Sequence, residues 1–182
     1  MKRSVFFEVL PIIGDDLMLR PLEARDAQRY VEGSKDPAVR AFGQLPLPEY
    51  TTSIVHDMSL TEVPEGLHAG RLAILTIADK LDDTFLGSLV LFDVDMDDSS
   101  AEVGFWVHPG ARGAKVALRS LGLAKLYALK LDLSALRAAA AIDNLASQAV
   151  LLSAGFSAVG HEPTIAPNGL ELPMLNYRID LS

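Results

Sequence analysis

The residues best placed to do chemistry lie in one segment, residues 101–121, with the sequence AEVGFWVHPGARGAKVALRSL. The pattern predicts a strand, a turn that contains glycine, and the start of a helix. Such a turn offers unpaired backbone N–H groups and the positive end of a helix dipole, which together bind phosphate. Arg112, Lys115 and Arg119 would add positive charge there. The turn matches neither GxxxxGK[ST] nor GxGxxG. Both interpretations, an anion-binding site and an ordinary solvated helix start, are therefore kept.

The elements that would position this segment are predicted from changes in the hydrophobic period along the chain. Apolar, β-rich runs predict strands at 17–22, 71–79, 85–94, 101–107, 133–142, 156–162 and 170–181. Segments with helical spacing or polar helix signals predict helices at 23–34, 36–42, 50–60, 111–130 and 144–154. Loops are expected at 61–70, which contains Pro64, and at 163–169. With no repeats or linkers, the chain is predicted to be one α+β domain over 1–182.

Propensity and position disagree at 133–142, LSALRAAAAI. Alanine favours helix, whereas a position between two predicted helices of an αβα order favours a buried strand. We predict a strand. Gly155 stands where the left-handed residue that ends the next helix is expected.

Charge and composition exclude several classes of protein. The 182 residues include 24 acidic and 16 basic side chains, a formal net charge of −8, which argues against a nucleic-acid partner. The acidic balance fits a cationic substrate, and solubility alone also explains it. With 49% hydrophobic and 22% charged residues, the composition is that of a folded chain and not of a disordered one.

The chain has no cysteine. This excludes disulfides, thiolate metal sites and a cysteine nucleophile, and it fits a reducing cytoplasm. No stretch approaches the ~18 apolar residues of a membrane span, and the scattered histidines suggest no metal site. The first 13 residues, MKRSVFFEVLPII, are not expected to be a signal peptide, because Glu8 and Pro11 interrupt the apolar run. We expect a soluble cytoplasmic protein with no membrane partner.

Four segments carry motifs that resemble those of a known family. ARGAKVALRSL at 111–121 resembles the acyl-CoA pyrophosphate loop, [RQ]xxGx[GA], of the GNAT superfamily of N-acyltransferases, and AEVGFWVHP at 101–109 is similar to the strand that carries the pantetheine arm. NLASQAVLLSAGF at 144–156 resembles the NxxSxxxLxxxGF segment of members close to the ribosomal-protein N-terminal acetyltransferases of the Rim type. LMLRPLEARDAQRY at 17–30 is similar to their first strand and helix. The matches span Leu17 to Tyr177, nearly the whole domain.

The resemblance implies a GNAT fold, a mixed and twisted central sheet of about seven strands flanked by helices. It implies direct transfer of an acetyl or short acyl group from acyl-CoA to a primary amine without a metal. The acceptor would be a protein N-terminus, or a small amine such as a polyamine or antibiotic. Acyl-CoA is expected in a gap between strands 101–107 and 135–142, and a homodimer is a possible assembly. The residues expected to bind acyl-CoA are Phe105, Trp106, Val107, Arg112, Gly113, Ala114, Lys115, Val116, Ala117, Asn144 and Ser147.

Glu102 is the candidate catalytic base for this reaction, which needs a neutral amine and a donor to the carbonyl oxygen. Strand alternation places Glu102 on one face with Gly104 and Trp106, where it would act through a water. The alternative is a solvent-facing strand carboxylate. The resemblance implies a backbone N–H donor within 105–107, and the acceptor is expected beside Glu102, Trp106 and His108.

Ser147 is the candidate catalytic group at the departing thiolate. The tyrosine that many GNAT members carry in this helix is missing, and Leu151 and Leu152 stand near its place. Asn144 and Ser147 share a helix face at i and i+3, so Asn144 could hold the pantetheine amide and Ser147 the sulfur. Helix capping by Asn144 or Asp143 is the alternative.

The family pattern has a glycine where this chain has Lys115. Glycine lets backbone approach the phosphates and tolerates unusual dihedral angles. Lysine would fit with a helical φ, and would otherwise crowd the diphosphate. This departure and the missing tyrosine motivate a second hypothesis, an acyl-CoA-binding or interaction module without catalytic activity.

Overall fold

The structure is a computed structural model that describes residues 6–42, 45–166 and 168–182, so the first five residues of the N-terminal segment lie outside it. The strands are β1 (Ile12–Ile13), β2 (Leu17–Pro21), β3 (Ala73–Asp79), β4 (Phe85–Asp95), β5 (Ser100–Val107), β6 (Ala135–Ala141), β7 (Ser157–Ile165) and β8 (Glu171–Asp180). The α-helices are α1 (Ala27–Ser34), α2 (Pro37–Arg40), α3 (Thr52–Leu60), α4 (Glu62–Ala69), α5 (Val116–Lys130) and α6 (Leu145–Ser153).

The strands form one mixed sheet in the order β1-β2-β3-β4-β5-β6-β8-β7, and helices flank it. This confirms the predicted α+β class. The described sheet has eight strands, one more than the sequence predicts, because the two-residue β1 is too short to show an alternating pattern. No helix among the described residues is long and apolar enough to cross a lipid bilayer.

Helices bury both faces of the sheet around β2–β5. On one face the buried side chains are aliphatic and pack beneath α5: Leu19, Leu75, Leu89, Leu91 and Val103. On the other face, Tyr30 of α1 packs edge-on against Trp106, with ring centroids 5.2 Å apart, and Phe85 lies beside both rings. Packing on both faces fixes the position of β5, which borders the site described below.

A buried ion pair joins β2 to the start of α1 and to the β3–β4 turn. Arg20, 5% exposed, donates two hydrogen bonds to Asp26 at 2.7 and 2.9 Å and one to Asp83 at 2.7 Å. Asp26, 3% exposed, also accepts from Thr76 Oγ1 at 2.8 Å. Two buried charges are tolerated here because each is hydrogen-bonded to the other and to further polar groups.

The two central parallel strands separate part-way along their length. β5 and β6 pair only from Ser100 opposite Ala135 to Glu102 opposite Arg137. Beyond this point β5 stays paired with β4 as far as Val107, while β6 stays paired with β8. The expected gap between these two strands is therefore present.

One predicted loop is wrong and a second begins later than predicted. Within the expected loop at 61–70 lies the helix α4 (Glu62–Ala69), which tolerates Pro64 because Pro64 is its third residue, where a missing N–H needs no helical partner. Gly70 ends the helix with φ +63°. The expected loop at 163–169 begins only after Ile165, because β7 continues through Pro163 at the edge of the sheet, where proline is tolerated. By contrast, the alanine-rich segment is the strand β6, as predicted.

Candidate active site

A cavity of about 750 Å³ occupies the gap between β5 and β6. The turn before α5 and the first turn of α5 line one part, Ala38 and Val39 of α2 line another, and α6 adds a third wall. Most residues predicted to bind acyl-CoA are brought together here: Phe105, Trp106, Val107, Arg112, Gly113, Lys115, Val116, Ala117, Asn144 and Ser147. Ala114, Glu102 and His108 do not line the cavity.

The start of α5 presents backbone donors to this cavity. The chain enters the helix through Gly113, with φ +82°, and Lys115, with φ +55°. Among the described residues no side chain caps α5, so the first N–H groups of the helix have no partner within it. Val116 and Ala117, which carry two of these groups, line the cavity. The N-terminus of a 15-residue helix with free donors suits a phosphate group.

Two of the three cationic side chains expected to contact a bound anion already form ion pairs with aspartates of the protein. Arg112 Nη2 donates to Asp36 Oδ1 at 2.6 Å and holds the pKa of that carboxyl below its ordinary value. Arg119 donates to Asp16 and, at 2.9 Å, to the carbonyl of Ala114, so it braces the turn. Within the described ranges Lys115 forms no ion pair. The positive charge available to a ligand is therefore smaller than the sequence suggests.

The backbone at Lys115 is left-handed, with φ +55° and ψ +26°. The helical φ under which lysine would replace glycine without cost is therefore not observed. A left-handed conformation brings the Cβ of a non-glycine residue close to the following carbonyl oxygen and costs roughly 1–2 kcal/mol. The backbone keeps the shape that favours glycine, and the lysine side chain adds a cation at the cost of strain.

Replacing Lys115 with Gly is expected to raise the free energy of unfolding by roughly 1 kcal/mol, because glycine adopts φ near +55° without strain. Urea denaturation measures the change. Lys115→Ala is the matched control, because it removes the same charge and keeps the Cβ atom. Equal stability of the two variants would show that the left-handed backbone carries no strain.

The backbone of β5 directs two N–H groups into the gap. The N–H of His108 donates to Leu86 O at 2.8 Å, towards β4. Because N–H groups of successive strand residues point to opposite sides, those of Val107 and Phe105 point away from β4, towards the separated β6. They are the donors within 105–107 that a ligand in the gap would meet.

Asn144 and Ser147 lie together on the α6 wall of the cavity, both half-buried. Asn144 Oδ1 accepts a hydrogen bond from the backbone N–H of Ser147 at 3.1 Å, so the capping role that the sequence left open is present. The cap uses only Oδ1. The Nδ2 amide of Asn144 and the hydroxyl of Ser147 are the groups that could donate to a ligand.

Glu102 is the last residue of β5 that pairs with β6, and the gap opens beyond it. Its side chain is 27% exposed, and its Oε2 lies 3.8 Å from Arg137 Nη1. Burial raises the pKa of Glu102, Arg137 opposes this rise and Asp93 adds to it. Gly104, two residues along on the same face, lines the cavity, and two residues of strand span ~6.6 Å. A water molecule could therefore connect Glu102 to a group at the floor of the cavity.

Trp106 is mainly a packing residue. It is 8% exposed and its ring packs against the rings of Tyr30 and Phe85. A Cβ atom at Gly33 would lie 2.5 Å from the Trp106 ring, so α1 needs glycine at this position. The predicted contact with an acceptor therefore rests on the small part of Trp106 that lines the cavity.

His108 lies on the α1 side of the sheet. Its Nδ1 accepts from the Gly110 N–H at 3.1 Å, and its Nε2 lies 3.8 Å from Glu32 Oε2. Burial and the nearby Arg29 lower the pKa of His108, which keeps the ring neutral at pH 7. The position of His108 therefore gives no support to its predicted contact with the amine that accepts the acyl group.

Sequence reasoning missed two groups of residues at this site. One is the α2 wall, Ala38 and Val39, with Asp36 as the residue that caps α2. Asp36 before Pro37 is a recognisable helix-start signal, but nothing in the sequence shows that α2 faces the gap. The other is Arg137 beside Glu102, which no local pattern indicates because 35 positions separate them.

Two diverging parallel strands, a cavity between them and a helix that starts at its edge are the features that the resemblance to N-acyltransferases implied. They define the class of the fold. The family described as "Acetyltransferase (GNAT) domain" matches residues 16–157. The chain belongs to this family and is an acetyltransferase.

Solved structures agree on the fold at low sequence identity. RimJ from Mycobacterium smegmatis, in complex with CoA-disulfide, has a TM-score of 0.78 at 21% identity, covering 90% of this chain and 81% of that one. Ribosomal-protein-S5-alanine acetyltransferase from Vibrio fischeri has a TM-score of 0.77 at 15% identity, covering 94% and 96%. Spermidine N-acetyltransferase from Vibrio cholerae, with CoA and spermine, has a TM-score of 0.75 at 18% identity, covering 92% and 96%. A comparison with curated proteins found no match.

Proposed function

We propose that this protein transfers an acetyl or short acyl group from acyl-CoA directly to a single primary amine, with a peptide N-terminus as the acceptor class. One observation carries the proposal. The strands β5 and β6 separate after Glu102, and the cavity between them reaches the uncapped N-terminus of α5. A long, thin ligand with a diphosphate at one end suits that combination.

The residues present fit acyl-CoA as the donor substrate. The diphosphate would accept from the first N–H groups of α5, with Lys115 supplying positive charge. The pantetheine arm would run along β5 and meet the N–H groups of Phe105 and Val107 and the Nδ2 amide of Asn144. The relatives with bound CoA compounds from Mycobacterium smegmatis and Vibrio cholerae support this choice of donor.

Three groups of the protein take part in the proposed reaction: Glu102, a backbone N–H of β5 and Ser147. The neutral amine attacks the thioester carbonyl, and its extra proton passes through a water to Glu102. An N–H of β5 stabilises the negative charge that develops on the carbonyl oxygen. The C–S bond then breaks, and the Ser147 hydroxyl donates a hydrogen bond to the departing thiolate. Direct transfer is consistent with a chain that has no cysteine to carry the acyl group.

Acyl-CoA would fill the cavity, so the acceptor class is inferred from the chemistry of the amine. An alkyl amine such as that of lysine, with a pKa of ~10.4, is mostly charged at pH 7. An α-amine, with a pKa of ~7.7–8, is partly neutral at pH 7 and needs only one base.

The test is to incubate the purified protein with acetyl-CoA and three acceptors, and to weigh the products. The acceptors are a peptide with a free α-amine, the same sequence with a blocked α-amine and an internal lysine, and spermidine. We expect the first to gain one acetyl group fastest. Binding of CoA without transfer to any acceptor would overturn the catalytic proposal, and faster acetylation of spermidine would overturn the acceptor class.

A further inference from the structure

Arg137 occupies a special position in the sheet. It is the β6 residue opposite Glu102 in the last pair before the strands separate. Its Nη1 lies 3.8 Å from Glu102 Oε2, and both side chains are more than two-thirds buried. Among the described residues this is the one charged group that contacts the carboxylate of Glu102.

The guanidinium of Arg137 is held from three directions. Nη1 donates to Asp93 Oδ2 at 3.0 Å, Nη2 donates to the carbonyl of Asp93 at 2.5 Å, and Nε donates to Ser100 Oγ at 3.1 Å. A planar guanidinium with this many bonds has little freedom to move. It therefore presents a fixed positive charge to Glu102 while forming no direct hydrogen bond with it.

We propose that Arg137 is a positioning residue for the acyl-transfer reaction, which keeps Glu102 ionised and directed towards the gap. The inference rests on the proposed function of Glu102 as the base. A base must be deprotonated to take a proton from the amine. Arg137 favours the ionised form, and because its hydrogen bonds go to Asp93 and Ser100, it leaves both oxygens of Glu102 free to accept from water.

The neighbouring charges act on Glu102 in opposite directions. Burial raises the pKa of Glu102, Arg137 on β6 lowers it, and Asp93 on β4 raises it again. These two side chains are the charged groups that face Glu102 from the strands on either side. Loss of Arg137 should therefore favour the protonated acid, and loss of the Asp93 charge should favour the carboxylate.

Replacing Arg137 with Gln is expected to move the acidic limb of the pH profile of kcat/KM upwards by about one pH unit. Activity would fall up to about tenfold below the midpoint and stay near the wild-type value on the plateau. The KM for acetyl-CoA should not change, because Arg137 is outside the cavity lining. Arg137→Lys keeps the charge and should restore most of the wild-type profile.

A second variant and a matched control make the result decisive. Asp93→Asn should move the acidic limb in the opposite direction, because it removes the negative charge that raises the pKa of Glu102. Arg178→Gln is the control: Arg178 is the β8 partner of Arg137 in the register, and it pairs with Asp98 at 2.6 Å and not with Glu102. A shift in Arg178→Gln equal to that in Arg137→Gln would overturn the proposal.

The titration of Glu102 can also be followed without any substrate, by the carboxyl NMR signal of the folded protein. The Glu102 signal should titrate at a higher pH in Arg137→Gln and at a lower pH in Asp93→Asn than in wild type. An unchanged midpoint in both would overturn the role of Arg137. If the signals shift as expected and no acceptor is acylated, the proposed function fails while the electrostatic link stands.

Discussion

Replacing Glu102 with Gln is expected to lower kcat/KM for acetyl transfer to a peptide N-terminus by about 10²-fold at pH 7. General-base catalysis contributes ~10²–10⁴-fold, and the lower end applies because an α-amine is already partly neutral. The exchange keeps the shape of the side chain at the mouth of the gap and removes only the group that takes the proton. Steady-state rates with saturating acetyl-CoA measure the effect.

The pH dependence identifies the cause of the loss. Because the pKa of Glu102 is raised, wild-type activity should fall as the pH drops through that raised value. The deficit of Glu102→Gln should persist above about pH 9, because an α-amine that is already neutral still gives up a proton after it attacks. Glu162→Gln, at an exposed position of the edge strand β7, is the matched control and should keep full activity. Full activity of Glu102→Gln across the range would mean that Glu102 is only a solvent-facing carboxylate.

The replacement of Asp26 with Ala is expected to have the largest effect on stability, a loss of about 3–5 kcal/mol in the free energy of unfolding. The reason is that Arg20, 5% exposed, would lose its bidentate partner and stay buried with only Asp83 to balance its charge. A protein of this kind has ~5–15 kcal/mol of stability in total. Urea denaturation followed by circular dichroism measures the loss.

Low pH should remove the stabilisation that Asp26 contributes. Burial alone would raise the pKa of Asp26, but hydrogen bonds from Arg20, the Glu23 N–H and Thr76 hold it below its ordinary value. The contribution of Asp26 is therefore present above pH ~4, the pKa of an unfolded aspartate, and is lost as the pH falls further.

The controls for this prediction are a surface aspartate and the isosteric amide. Asp97→Ala, in the exposed turn after β4, should change the free energy of unfolding by less than about 0.5 kcal/mol. Asp26→Asn keeps the shape and should lose less than Asp26→Ala. A loss below about 1 kcal/mol in Asp26→Ala would show that the buried Arg20–Asp26 pair is not what holds β2 to the start of α1.

Much of the candidate site could be predicted because its signals are local. The glycine-containing turn, the following helix α5 and the cap of α6 at Asn144 are each encoded by residues that are neighbours in the sequence. The alanine-rich strand β6 was predicted only from its place in the order of elements, since the propensity of alanine favours helix. The sequence does not predict α4, because Pro64 and Gly70, which lie near its two ends, are local signals for a loop.

The remaining features depend on which distant residues meet. Arg112 and Arg119 look like free phosphate ligands in the sequence, but they pair with Asp36 and Asp16 from far earlier in the chain. Lys115 looks like a helical residue, but the turn imposes a left-handed backbone on it. These outcomes follow from the packing of the turn against the N-terminal elements, and no local spacing encodes them.

By itself the sequence determined the order of the elements other than β1 and α4, the fold class and the position of the turn before α5, because hydrophobic period and turn chemistry are properties of neighbouring residues. Only the tertiary structure decided that the β5–β6 pairing stops at Glu102, that Arg137 stands beside it, and how many cations are left for a ligand. The physical reason is that strand register and ion-pair partners are set by the packing of segments far apart in the chain.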